Sequence, residues 1–240
     1  MRKNSLKEQG ILPDDRFTRF AVSIIKPYYL RKVIGKDNID TSRPAVFTCN
    51  HGKTVGPVTS VLSMPVRFRP WVNACMLNRE EATDTIMRTF RNKFRFLGAK
   101  TKRRLIWWFS KPMCYVLNSF RPIPVYKGMP KESVGTIEQS VEALRNGDNI
   151  LIFPEKPGDH YSTESYKVFN TGFAALGKAY YDKTGQCLDF YPMWSDPRGI
   201  RFIIGCPVRY DPSGDDHAEK LRISAELKKR MLELKDTTMR

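Results

Sequence analysis

The chain has 240 residues, 41% of them hydrophobic and 28% charged, enough apolar material for a sizeable core and too much for disorder to be its main state. With 41 Lys and Arg against 25 Asp and Glu it carries a net charge of +16, which suits an anionic partner: nucleic acid, an anionic membrane surface and phosphorylated metabolites all reward the same side chains. Cys49, Cys75, Cys114, Cys187 and Cys206 are widely spaced and never form a C-x-x-C pair, so they suggest neither a disulfide framework nor a zinc ribbon and fit a reducing compartment.

The N-terminus turns polar where a signal peptide needs an apolar stretch, and no window reaches about 18 uninterrupted apolar residues, so neither secretion nor a spanning helix is expected. From about 14 to 32, Phe17, Phe20, Ile24, Ile25 and Tyr28 accompany Arg16, Arg19, Lys26, Arg31 and Lys32. That is the composition of a helix lying on a lipid surface, or, more plainly, of a core-facing amphipathic helix with a solvated charged face. Residues 102–115 pose the same choice, with a basic cluster beside Trp107, Trp108 and Phe109. Short β-rich runs predict strands at 45–49, 70–76, 122–126, 149–153, 188–194 and 200–206. Helical spacing predicts helices over 133–145, 165–181 and 215–235. No repeat and no Gly/Ser-rich linker divides the chain, so residues 1–240 read as one α/β domain, with a mixed, mostly parallel central sheet flanked by helices.

In such sheets ligands gather beyond the carboxyl ends of parallel strands. Three chemically apt groups follow predicted strands there: His51 after 45–49, Lys127 after 122–126 and Glu155 after 149–153. If those strands are parallel neighbours, a base, a cation and a carboxylate converge on one rim. Cys49 shares a side with His51 on an extended strand, yet buried cysteines commonly serve as small apolar residues, so a Cys/His nucleophile pair is the weaker reading. His160 and His217 lack ligand-spaced partners, and no metal is expected.

The blocks around these residues resemble the glycerophospholipid acyltransferases, the lysophosphatidate acyltransferase-like family. Asn50-His51-Gly52-Lys53-Thr54-Val55-Gly56-Pro57 is similar to its N-H-x-x-x-x-D-P block, and Arg121-Pro122-Ile123-Pro124-Val125-Tyr126-Lys127 to its G-x-I-P-V-x-R segment. Phe153-Pro154-Glu155-Lys156 is similar to F-P-E-G, and Phe169-Asn170-Thr171-Gly172 to the later F-K-x-G, in the family's order. The resemblance implies a glycerol-3-phosphate acyltransferase-like fold. It also implies transfer of an acyl group from acyl-CoA or acyl-carrier protein to a lysophospholipid or glycerol-phosphate hydroxyl, with no cofactor beyond that thioester co-substrate. On this carry-over His51 is the general base and Glu155 a second catalytic residue, while Lys127, Arg121, Lys156 and Asn50 bind the acceptor. The expected setting is the cytoplasmic face of an anionic membrane, with no nucleic acid as partner.

Three departures bear on activity. Gly56 stands where the family has the aspartate that fixes the histidine tautomer, Lys127 keeps the charge of the family's arginine without its bidentate fork, and Lys156 replaces a glycine. A lipid-binding pseudoenzyme of the same fold is therefore the alternative, and a basic nucleic-acid-binding protein a more distant one. If the family geometry persists, Gly56→Asp is expected to raise turnover.

Overall fold

The computed structural model describes residues 13, 15–52, 55–89, 98–126, 130–155, 169–196 and 201–238. In chain order the strands are β1 (Lys32–Ile34), β2 (Ala45–Cys49), β3 (Phe68–Asn73), β4 (Ile123–Val125), β5 (Asn149–Ile152), β6 (Asp189–Ser195), β7 (Arg201–Ile204) and β8 (Val208–Arg209). The helices are α1 (Arg16–Tyr29), α2 (Val55–Ser63), α3 (Arg79–Thr89), α4 (Ala99–Ser119), α5 (Pro130–Arg145), α6 (Ala175–Thr184) and α7 (Asp216–Thr238).

The strands form one sheet in the order β1-β7-β6-β2-β5-β3-β4, with β8 also paired to β6. β2 runs parallel to β5 on one side and β6 on the other, and β5, β3 and β4 continue in parallel. β7 and β8 are antiparallel to β6, which makes the sheet mixed but mostly parallel, as expected. The central strands are buried on both faces, so they read as continuous apolar runs instead of alternating ones.

The pleat sends alternate residues to two cores. Val46, Ile150, Ile152 and Phe190 pack with Leu144 of α5, Leu176 of α6 and Leu227 of α7 on one face. Phe47, Cys49, Leu151, Tyr191 and Met193 pack with Met64 and Phe120 on the other. All six predicted strands are found within a few residues of their expected limits. The helix predicted over 165–181 is not: Phe169 forms an isolated antiparallel bridge with Glu155, a short 3-10 turn occupies 172–174, and α6 begins only at Ala175. Phe169 and Phe173, spaced as on a helix, meet instead as a bridge residue and a turn residue through an edge-on ring contact, with centroids 5.9 Å apart.

Candidate active site

Parallel pairing of β2 with β5 places the residues that follow them side by side. The main-chain N–H of His51 donates to Glu155 Oε2 at 3.0 Å, so two groups 104 residues apart in sequence meet at the carboxyl rim of the sheet. The His51 ring is half-buried and sits edge-on to Phe153, with centroids 5.5 Å apart. Glu155 is held by its bridge to Phe169 and by Asn170 N–H donating to the Pro154 carbonyl at 2.9 Å. A carboxylate that accepts from the main-chain N–H of His51 fixes the loop that carries the ring.

Beneath the histidine lies a buried polar strut. Asn50 Oδ1 accepts from Ser195 N–H at 2.7 Å and its Nδ2 donates to the Ser195 carbonyl at 2.9 Å, clamping the end of β2 to the end of β6. The Ser195 hydroxyl pairs with that of Thr59, which also donates to the Val55 carbonyl at 2.6 Å and so ties in the first turn of α2. Asn50, expected from sequence in the acceptor site, is buried with both ends of its amide engaged and ties β2 to β6. Ser195 and Thr59 went unnoticed in the sequence because nothing in an apolar strand end or a short helix marks a residue whose partner lies 145 positions away.

The remaining expected site residues divide. Lys127 and Lys156 lie outside the described residues. The strand before Lys127, β4, is third from β2 in the sheet, or roughly 14 Å at ordinary strand spacing. Arg121 does not join His51. It precedes β4 whereas His51 and Glu155 follow their strands, and in a parallel sheet that puts it at the opposite end. There it adopts a left-handed φ of 51°, accepts from Arg69 Nε at its carbonyl, and lines a cleft with Arg67, Arg69 and Asp148. Its charge, after burial, helps lower the pKa of Arg69.

Position 56 departs from expectation as well. Gly56 N–H donates to the His51 carbonyl at 3.1 Å, folding the chain tightly back on itself. A Cβ at Gly56 would lie 2.0 Å from the Asn50 carbonyl oxygen and 2.7 Å from that of His51. Main-chain atoms cannot yield as a flexible side chain would, so any side chain at position 56, that of the expected Gly56→Asp included, requires the backbone of this loop to move. The Cys/His pair is disfavoured too: Cys49 is fully buried, and burial pushes its thiol up to about 12, far from thiolate at neutral pH. Among the described residues no group of three or more His, Cys, Asp or Glu is gathered as a metal would require, and no helix is long and apolar enough to cross a membrane.

A family model described as Acyltransferase matches residues 31–184, the stretch from before β1 to the end of α6 that holds His51, Gly56 and Glu155. Among solved structures the chain is similar to the crystal structure of the 1-acyl-sn-glycerophosphate (LPA) acyltransferase PlsC from Thermotoga maritima. The identity is 13% and the TM-score 0.47, over 92% of this chain and 77% of that one. No curated protein matches the chain.

Proposed function

This chain belongs to the acyltransferase family, and we propose that it transfers a fatty acyl group from acyl-CoA or acyl-carrier protein to the free hydroxyl of a lysophospholipid or glycerol phosphate. The observation that carries the reading is the hydrogen bond from the His51 main-chain N–H to the Glu155 carboxylate, which brings the two residues together at the carboxyl rim of a mostly parallel sheet. The neutral His51 imidazole takes the acceptor hydroxyl proton as its oxygen attacks the thioester carbonyl carbon. The tetrahedral intermediate then expels the thiolate, which leaves with the proton held by the imidazolium. Glu155 steadies the His51 loop and its negative charge favours the transient imidazolium, part of what the family's aspartate would do. Lys127 and Lys156 hold the acceptor phosphate, Asn50 positions His51 from below, and Arg121 lies at the other end of the sheet, outside the acceptor site. A lysophospholipid acceptor and the acylated product partition into bilayers, so the enzyme works peripherally at the cytoplasmic, anionic face of the membrane. Incubating the purified protein with lysophosphatidate and either acyl-CoA or acyl-carrier protein tests the reaction: a diacyl product supports it, and both thioesters left intact refute it.

Gly56 favours a second reading, in which the same fold binds lysophospholipid without turning it over. Saturable lysophosphatidate binding with no diacyl product distinguishes that case.

A further inference from the structure

Helices α1 and α4 each turn an apolar stripe outward. On α1, Phe17, Phe20, Ile24 and Tyr28 recur every three or four residues and are exposed, Phe20 at 63% and Tyr28 at 77%, while Thr18 and Val22 are buried. On α4, Leu105, Trp108, Phe109 and Tyr115 are exposed, Trp108 at 65% and Phe109 at 63%, with Ser110 and Cys114 turned inward. Helical periodicity places each set on one side of its helix.

The two stripes meet. The Phe17 ring packs edge-on against Tyr115 with centroids 5.2 Å apart, Tyr115 OH donates to Asp15 Oδ1 at 2.8 Å, and the Thr18 hydroxyl donates to that of Ser119 at 3.0 Å. Scattered exposed apolar residues are ordinary; a band running from one helix onto the next is not. The charge on both helices has one sign. α1 carries Arg16, Arg19 and Lys26, α4 carries Lys100, Lys102, Arg103, Arg104 and Lys111, and neither contains Asp or Glu. Arg103 pairs with Asp84 of α3 at 2.8 Å, while Arg104 and Lys111 stand exposed along one edge of the α4 stripe.

We propose that the α1–α4 face docks the protein on an anionic bilayer, with Phe20, Ile24, Trp108 and Phe109 entering the headgroup boundary and Arg104 and Lys111 meeting lipid phosphates. The proposal rests on the acyl-transfer reading for the presence of lipid substrate, while the surface itself stands on exposure and charge. A second copy of this chain fits worse, because a symmetric contact sets the same cationic face against itself. Single-stranded nucleic acid would stack on the rings yet leave Ile24 and Leu105 in water, whereas a bilayer takes up the whole band.

The test is co-sedimentation of the full chain with phosphatidylcholine vesicles, with and without phosphatidylserine. The wild-type protein is expected to favour phosphatidylserine vesicles about tenfold or more, an advantage that shrinks as salt is added. Trp108→Ala with Phe109→Ala lowers vesicle partitioning about tenfold or more, and Arg104→Glu with Lys111→Glu removes most of the preference for phosphatidylserine. Both pairs melt like the wild type, because the changed side chains are exposed. His51→Ala binds vesicles as the wild type does. Unchanged partitioning of the Trp108/Phe109 pair overturns the proposal. So does a dimer that this pair dissociates, or tighter retention on single-stranded DNA than on vesicles at matched salt. Vesicle binding as described without diacyl product defeats the acyl-transfer reading alone, whereas acylation of a water-soluble short-chain lysophosphatidate without vesicle binding defeats the docking face alone.

Discussion

A methyl group at position 56 is the sharpest probe of how the His51 loop is built. Gly56 lies in the first turn of α2, where replacing glycine by alanine ordinarily stabilises by up to about 1 kcal/mol. Here the added Cβ would be 2.0 Å from the Asn50 carbonyl oxygen, and reaching an ordinary contact of about 3.5 Å needs a main-chain shift of roughly 1.5 Å. Overpacking of this kind costs about 1–3 kcal/mol, and the shift also breaks the bond from Gly56 N–H to the His51 carbonyl, about 1 kcal/mol more. At roughly 2–4 °C per kcal/mol for a chain of this size, Gly56→Ala and Gly56→Asp should both melt some 5–15 °C below the wild type. Both should also lose acyl transfer, since the displaced carbonyls belong to Asn50 and His51. Gly135 in α5 serves as the control: a Cβ there meets nothing within 4 Å, so Gly135→Ala should melt at or slightly above the wild-type temperature. Thermal unfolding followed by circular dichroism, beside a product assay, reads all three. If Gly56→Ala melts within about a degree of wild type, or Gly56→Asp raises turnover, the steric account of this loop is wrong.

Other expectations come from individual contacts. Asn50→Ala strands the buried N–H and carbonyl of Ser195 and should destabilise by about 1–3 kcal/mol, seen as a lower urea midpoint, with Asn50→Asp no full remedy because a carboxylate cannot donate to the Ser195 carbonyl. Glu219 accepts from Arg222 at 2.6 and 2.7 Å and from Asp211 N–H at 2.8 Å, and the Arg222 guanidinium beside it holds its carboxyl below the usual range despite burial. A folded pKa below the unfolded value of about 4.3 means its stabilisation is complete above that pH and disappears as pH falls through the folded pKa. Glu219→Gln should therefore melt a few degrees lower at neutral pH, a gap that closes in acid; a gap unchanged down to low pH would contradict this assignment. Cys49 should resist alkylation in the native protein while exposed Cys206 reacts, which peptide mapping after brief labelling can read.

The sheet was largely legible because β2, β5 and β6 are apolar runs that only a strand buried on both faces can accommodate. α3 escaped notice: only Ala82 and Thr83 are buried among its polar residues, so it offers no apolar stripe, and its place comes from packing on α4, where the Arg79 guanidinium lies 3.8 Å from the Trp107 ring centre. β8 is two residues long and too short to leave a pattern. At the site, His51 and Glu155 were individually visible as groups following strands. Their meeting depends on β2 and β5 being neighbours, a fact of strand order that no local pattern encodes. The displacement of Arg121 was readable in principle, since a residue before a parallel strand and one after it lie at opposite ends; its position within a familiar block obscured that. The crowding around Gly56 was not readable at all, because it is set by two carbonyls whose directions appear only in three dimensions.

The central claim is that the His51 imidazole takes the acceptor's proton, and its most direct measure is steady-state acyl transfer by His51→Ala beside wild type, at a temperature where both are folded. The account predicts a loss of about 10²–10⁴-fold in turnover with folding intact, the usual contribution of a positioned general base. Equal turnover by the two proteins would contradict it.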